Sequence, residues 1–171
     1  MKRSDAELSL MGNNYHPGFS VDCVIIGFHE GTLKVLLNKF NVDDKWGLPG
    51  GFVYKDEDVE DAAYRLLANR TGLKDVFLKQ FFLFGNANRV PVEEHRKELI
   101  NRNISEVDGK WFLSRFITVG YYALVQFDQV QPYADPEDEK IAWFDIDRIP
   151  DLKIDHNQIV DKALETIRLQ I

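Results

Sequence analysis

Cysteine is nearly missing from this chain of 171 residues: Cys23 is the only one. An internal disulfide is therefore excluded, and so is a zinc site built on several cysteines. Basic residues are also short, with 21 lysines and arginines against 28 aspartates and glutamates and a formal net charge of −7. Nucleic acid is gripped mainly through its phosphates, which calls for a basic face, so this balance speaks against DNA binding by overall electrostatics. No apolar run approaches the roughly 20 residues that cross a bilayer. The first residues, MKRSDAELSLMGNNYHPG, lack the apolar core of a secretory signal. A cytoplasmic location without a membrane partner is the expectation. Internal repeats and low-complexity segments are missing as well.

What is present is an ordinary soluble composition, 44% hydrophobic, 12% aromatic and 29% charged. The length suffices for one compact domain with a full core. Residues 1–17 are polar and read as an arm, and 18–171 as the domain. FSVDCVIIGFHE (19–30) and TLKVLLNKF (32–40), joined at Gly31, predict a β-hairpin, with Cys23 as a buried strand thiol. WGLPGGFVY (46–54) offers glycines for tight turns. KDEDVEDAAYRLLANRTG (55–72) predicts a helix, with acids at its start and Gly72 as its stop. Strands are predicted at 75–85, 115–127 and 140–146. Residues 86–113 form a polar excursion with helical character in PVEEHRKELINRN. A final helix over 155–171 carries Ile159, Val160, Ala163, Leu164 and Ile167 on one face. Asp155 reads as its N-cap and His156 as structural. These elements imply an α/β class, a layered sandwich on a mixed sheet.

GFVYKDEDVEDAAYRLLANRTGL (51–73) resembles the Nudix box, G-x5-E-x7-R-E-U-x-E-E-x-G-U, where U is a bulky aliphatic residue. With WGLPGG before it, the likeness spans roughly residues 19–170 and implies the Nudix fold, an α/β/α sandwich. It implies structural places for Gly51, Glu57, Arg65, Leu67, Gly72 and Leu73, with Glu57 and Arg65 clamping a loop-helix-loop. The family's three remaining acids hold divalent metal on a diphosphate, and here those positions are Leu66, Asn69 and Arg70. Helical geometry would gather the three on one face. Carboxylates there would suit Mg²⁺ or Mn²⁺, whereas leucine offers no ligand, an asparagine amide only a weak one, and an arginine repels a cation. No metal and no cofactor are expected at this box, and no hydrolysis, because metal is what would activate water.

Several residues then become candidates for holding a ligand. Arg70 could pair with a phosphate directly, as guanidinium does well. Lys39 ends the second strand, where the resemblance places ligand contacts, and Gly50 and Gly51 are candidates as well. Trp46 could stack on a base or sugar, although core or rim packing is its simpler reading, Asn69 offers an amide, and Arg89 and Arg115 flank the excursion. If the chain were a hydrolase after all, Mg or Mn would be gathered by Glu57 and Asp56 with Glu93 or Glu94. A base would then come from Glu93, Glu94 or His95, whose simpler reading is a solvated helix face.

YHPGFSVDCVIIGFHEGTLKVLL, TVGYYALV and IPDLKIDHNQIVDKALETIR, together with the altered box, resemble Nudix-related bacterial transcription regulators of NAD or sugar metabolism. There a Nudix-like domain senses ADP-ribose or a sugar, a C-terminal winged helix binds DNA, and the protein is a homodimer. The resemblance implies a small-molecule effector and a homodimer here. DNA would be bound only through a winged-helix domain that these 171 residues do not contain. The alternative is a metal-dependent hydrolase of a nucleoside diphosphate linked to another moiety.

Overall fold

The computed structural model describes residues 18–137 and 139–170, so the arm predicted for 1–17 lies outside the described residues. Strand β1 (Gly18–His29) turns through Glu30 and Gly31 into β2 (Thr32–Phe40). Both turn residues have positive φ, 49° and 79°. This is the primed two-residue turn, whose twist suits a hairpin. Then come β3 (Gly50–Phe52), α1 (Val59–Thr71), β4 (Lys79–Phe84), α2 (Val92–Asn101), β5 (Phe116–Gln126), β6 (Glu139–Asp145) and α3 (His156–Gln170). The six-stranded sheet runs β4-β5-β1-β2-β6, with β3 paired to β1. β1 and β5 are parallel from Gly18 opposite Phe116 to Phe28 opposite Gln126, and the other pairings are antiparallel, so the sheet is mixed.

β1 is apolar along most of its length because both its faces are covered. Val21, Cys23 and Ile25 pack with Leu36 against Ala63, Leu66 and Leu67 of α1. Val24 and Ile26 pack with Val35 and Leu37 against Ile159, Val160, Ala163 and Ile167 of α3. The alternation of a strand thus feeds two helix layers, and the α/β/α sandwich follows. Burial raises the Cys23 thiol well above its ordinary pKa, so it is a packing group.

Two boundaries differ from those the sequence predicts. The first helix starts at Val59 rather than at 55, because residues 55–58 form the loop that presents Glu57 to Arg65. The strand expected over 75–85 starts at Lys79. Asp155, read from the sequence as a side-chain N-cap, puts its two carboxylate oxygens elsewhere: they accept from Arg89 at 2.9 and 2.7 Å, and its backbone carbonyl accepts the Ile159 N–H.

The position of the site follows from how one strand edge is shared. On a single edge, β1 pairs with β2 over Ile26–His29 and with β3 over Ser20–Asp22. β2 meanwhile follows β6 as far as Phe40. The sheet therefore forks, and the fork opens between Ser20 and Asp22 on one side and Asn38 and Phe40 on the other.

Gly50 makes the fork possible. A Cβ there would stand 2.3 Å from the Val21 carbonyl oxygen and 2.7 Å from an Asp22 carboxylate oxygen. Gly50→Ala should force β3 off β1 and cost about 1–3 kcal/mol, the usual scale for overpacking. Urea unfolding checks this, and an unchanged midpoint would mean that β3 can shift freely.

Candidate functional site

The loop-helix-loop is held by one ion pair. Arg65 donates from Nε to Glu57 Oε1 at 2.6 Å and from Nη2 to Oε2 at 2.9 Å. Nη2 also reaches the Phe52 carbonyl at 2.8 Å, and the Tyr54 N–H donates to Glu57 Oε2 at 3.1 Å. The hydrogen bonds from Arg65 hold the Glu57 carboxyl below its ordinary pKa. Gly72 ends α1 at φ 72° and returns its N–H to the Ala68 carbonyl, while Leu67 and Leu73 are buried.

The three box positions that lack acids point in three directions. Leu66 is buried, with its Cδ2 where a Cβ on Gly51 would lie only 2.5 Å away. Asn69 is exposed and does not line the cavity at the fork. Arg70 turns inward, donating to Glu139 Oε1 at 2.8 Å and to the Gly50 carbonyl at 3.3 Å. Glu139 is itself buried and accepts from Asn38 Nδ2 at 2.9 Å. A cationic side chain, paired with an internal acid, thus lies where the box would carry an acid for metal. Such a donor set does not suit a divalent cation. Nor are the residues named for the hydrolase alternative assembled. Glu57 is committed to Arg65, Glu93 pairs with Arg96, Glu94 accepts the Ile154 N–H at 3.0 Å, and Asp56 is exposed. Among the described residues no group of three His, Cys, Asp or Glu could hold a metal ion.

The fork encloses a cavity of about 120 Å³. The Phe40 ring in its wall carries three cations, with Arg70 at 4.7 Å, Arg102 at 5.0 Å and Lys153 at 5.7 Å from its centre, of which Arg70 and Lys153 line the cavity. Their acids are Glu139, Glu98 and Asp43, and the Asp43 contacts to Arg102 and Lys153 are long, 3.7 Å each. Asp43 Oδ2 is buried and has no hydrogen-bond partner among the described residues. Ile154, next to Lys153, has φ 55°. That is a strained setting for a β-branched residue.

Ser20, Asp22 and His156 also line the cavity. His156 Nδ1 accepts the Leu48 N–H at 2.9 Å, so in the neutral ring the proton sits on Nε2, 3.5 Å from Asp22 Oδ1. Asp22 Oδ2 accepts from the Thr118 hydroxyl at 2.8 Å. Burial pushes His156 below its ordinary pKa, and does the same to His95, which stacks on Phe112 at 4.2 Å.

Of the candidates that the sequence offers, Gly50, Gly51, Arg70 and Arg89 line this cavity, and Lys39, Trp46, Asn69 and Arg115 do not. Strand alternation turns Lys39 away from Asn38 and Phe40. Trp46 packs edge-on against Phe144 at 5.0 Å on the core, and Arg115 donates to the Gly85 carbonyl on the surface. Arg89 lines the cavity, but its buried guanidinium is held by Asp155. His95, expected on a solvated face, is buried. Sequence reasoning misses Asp22, Asn38, Lys153 and Glu139. Asp22 leaves a signal, a charge in the middle of the apolar VDCVII. The other three leave none.

Residues 16–165 match the NUDIX domain family. The chain is 30% identical over 154 residues to the ADPR responsive transcriptional repressor NtrR of Acinetobacter baylyi, covering 86% of this chain and 53% of that protein. It thus spans about half the length of that curated relative. The NUDIX domain of Shewanella oneidensis NrtR, solved in complex with ADP ribose, is 26% identical with a TM-score of 0.66, over 96% of this chain and 99% of that one. Shewanella oneidensis NrtR in complex with a 27mer DNA is 26% identical with a TM-score of 0.60, over 89% of this chain and 63% of that one. A mutT/nudix family protein from Listeria innocua is 25% identical with a TM-score of 0.66, over 91% and 97% of the two chains.

Two outcomes are expected from the site. Leu66→Glu, which restores an acid of the box, should place a carboxylate in the core beside Gly51. It should lower stability by more than Leu66→Ala, itself worth about 2–5 kcal/mol. A stable Leu66→Glu protein that gains Mg²⁺-dependent turnover would contradict the packing described. Second, because His156 has a lowered folded pKa, the unfolded chain takes up its proton first as pH falls. Stability is fully present above the unfolded value of about 6.5 and is lost as pH drops below it. His156→Gln should flatten that part of the pH–stability curve, and an unaltered slope would assign the proton elsewhere.

Proposed function

This chain belongs to the NUDIX domain family, and from that premise we propose that it is a metal-independent effector-binding domain, not a hydrolase. The effector is a nucleoside diphosphate sugar of the ADP-ribose type, and the whole protein is a transcription regulator. The observation that carries this reading is the Arg70–Glu139 pair at 2.8 Å, which puts a cation where the family's box carries a metal-binding acid. The cavity adds Lys153 over the Phe40 ring, and Arg102 lies over the same ring though it does not line the cavity; fixed cations suit a diphosphate without a bridging metal. The likeness to a repressor described as ADPR responsive, and to a domain solved with ADP ribose, supports the same ligand class.

In this reading DNA is contacted by a segment other than the domain described, in keeping with the net charge of −7. The protein works in the cytoplasm, and no helix among the described residues is long and apolar enough to cross a membrane. It acts as a homodimer. β4 is an edge of the sheet and exposes Phe82 and Leu83, an apolar edge of the kind a second subunit covers. Sedimentation equilibrium should give twice the chain mass, and a monomer at micromolar concentration would remove the dimer from the proposal.

The test of function has two arms. In EDTA, ADP-ribose should raise the melting temperature, since a ligand of the native state at 100 times its Kd adds about 2.7 kcal/mol. With Mg²⁺ or Mn²⁺, ADP-ribose, NADH and nucleoside triphosphates should stay intact. Turnover that is lost in Glu57→Gln would establish the hydrolase instead.

A further inference from the structure

We propose that Phe52 and Trp111 form a stacking platform, at the rim of the cavity, for the nucleobase of the effector. This inference rests on the proposed binding of a nucleoside diphosphate sugar at the same cavity, and it concerns the part of the ligand that the cations do not hold.

The two rings are unusual for their exposure. Large aromatic side chains bury most of their surface in a folded chain, yet Phe52 is 39% and Trp111 46% exposed. They touch each other, with ring centres 5.0 Å apart and planes at 80°. Exposed rings that meet, rather than standing singly, make a patch that a ligand or partner can cover. The pair is also firmly seated on a tier of rings beneath it. Phe52 packs against Phe116 at 5.1 Å and Phe112 at 6.0 Å, and Trp111 packs edge-on against Phe116 at 4.8 Å. Phe116 is buried, and Phe112 stacks on the buried His95 at 4.2 Å. These contacts fix the outer rings before a ligand arrives, and side chains so held lose little freedom on binding.

What covers the patch follows from its neighbours. Phe52 lines the same cavity as Arg70 and Lys153, the cations that the proposed function gives to the diphosphate. Arg70 Nε donates to the Gly50 carbonyl at 3.3 Å, and Gly50 and Phe52 stand two residues apart on β3. Strand alternation turns both toward one face, where Asp22 and Ser20 pair with them on β1. Two residues of strand span about 7 Å. A nucleotide sets one ribose between its base and its first phosphate. Phosphate at Arg70, ribose beside β3 and base at Phe52 is the order that this spacing accommodates. A flat base is also the group best matched to the rings. Laid on one of them it would meet the other edge-on, and both are favourable aromatic arrangements. A ribose, which has no π face, makes no such stack. Stacking of this kind is open to any base, because every base has a π face.

The test compares two ligands by calorimetry in EDTA on the full chain, on Phe52→Leu and on Trp111→Leu. They are ADP-ribose and diribosyl diphosphate, which carries a second ribose in place of adenosine and so lacks the base. The wild-type chain should bind ADP-ribose about 5- to 150-fold more tightly, the range for one base stacked on an aromatic side chain. Each variant should bring the two affinities together by weakening ADP-ribose alone. Tryptophan fluorescence of the wild-type chain gives a second measurement. ADP-ribose should quench it, diribosyl diphosphate should not, and the quenching should vanish in Trp111→Phe. Equal affinity of the wild type for the two ligands overturns the platform even if the variants do not fold, and it leaves the effector class standing. A preference for the base that survives both variants places the base elsewhere and overturns it as well. So does equal weakening of both ligands by Phe52→Leu, which would make Phe52 a packing residue of the cavity wall. If neither ligand binds the wild type, the effector class itself falls, and the platform with it.

Discussion

The bidentate pair between Glu57 and Arg65 is the contact on which the rest of the site depends. It ties the loop after β3 to the first turns of α1, and its third donation, to the Phe52 carbonyl, holds the end of β3 itself. β3 so held occupies part of the β1 edge that β2 would otherwise continue along. The fork in the sheet, and the cavity within it, follow from that competition.

On that scaffold the altered positions have been put to other uses. Leu66 is core, filling the space that Gly51 leaves open. Arg70 is the more consequential change. It crosses from α1 to the sheet and anchors Glu139 at the start of β6, and through Glu139 it reaches Asn38 on β2. In the proposed reading, a fixed positive charge stands in for one that would have to be recruited from solution. Its pairing with Glu139 answers the idea that Arg70 stands free for a phosphate: it helps build a cationic face shared with Lys153 and Arg102, rather than acting alone. The weak members of that face are the long contacts to Asp43, which a phosphate could replace at little cost.

Much of the fold is legible in the sequence because it rests on local rules. The alternation in β1 and β2, the apolar stripe of α3 and the left-handed glycine after α1 each leave a mark within a few residues. The spacing of Gly51, Glu57, Arg65 and Gly72 does the same for the loop-helix-loop. The site is less legible, because its decisive pairs join distant residues. Arg70 meets Glu139 across 69 positions, and Arg89 meets Asp155 across 66. An arginine whose acid is that far away reads as a free cation, and for this reason Arg89 looks like a ligand residue in the sequence. Trp46 packs as the plainer reading of its sequence has it, but its partner, Phe144, lies too far along the chain to be named from the sequence. Asp22 is the exception that leaves a trace, since a charge in a strand buried on both faces must answer to something.

The central claim is that this NUDIX domain holds its effector with fixed cations in place of a metal. Calorimetric titration with ADP-ribose, run once in EDTA and once in Mg²⁺, tests it most directly. The account predicts the same Kd in both within about twofold, and no loss of ligand during the run. Binding seen only with Mg²⁺, at least tenfold tighter than in EDTA (about 1.4 kcal/mol), would contradict it.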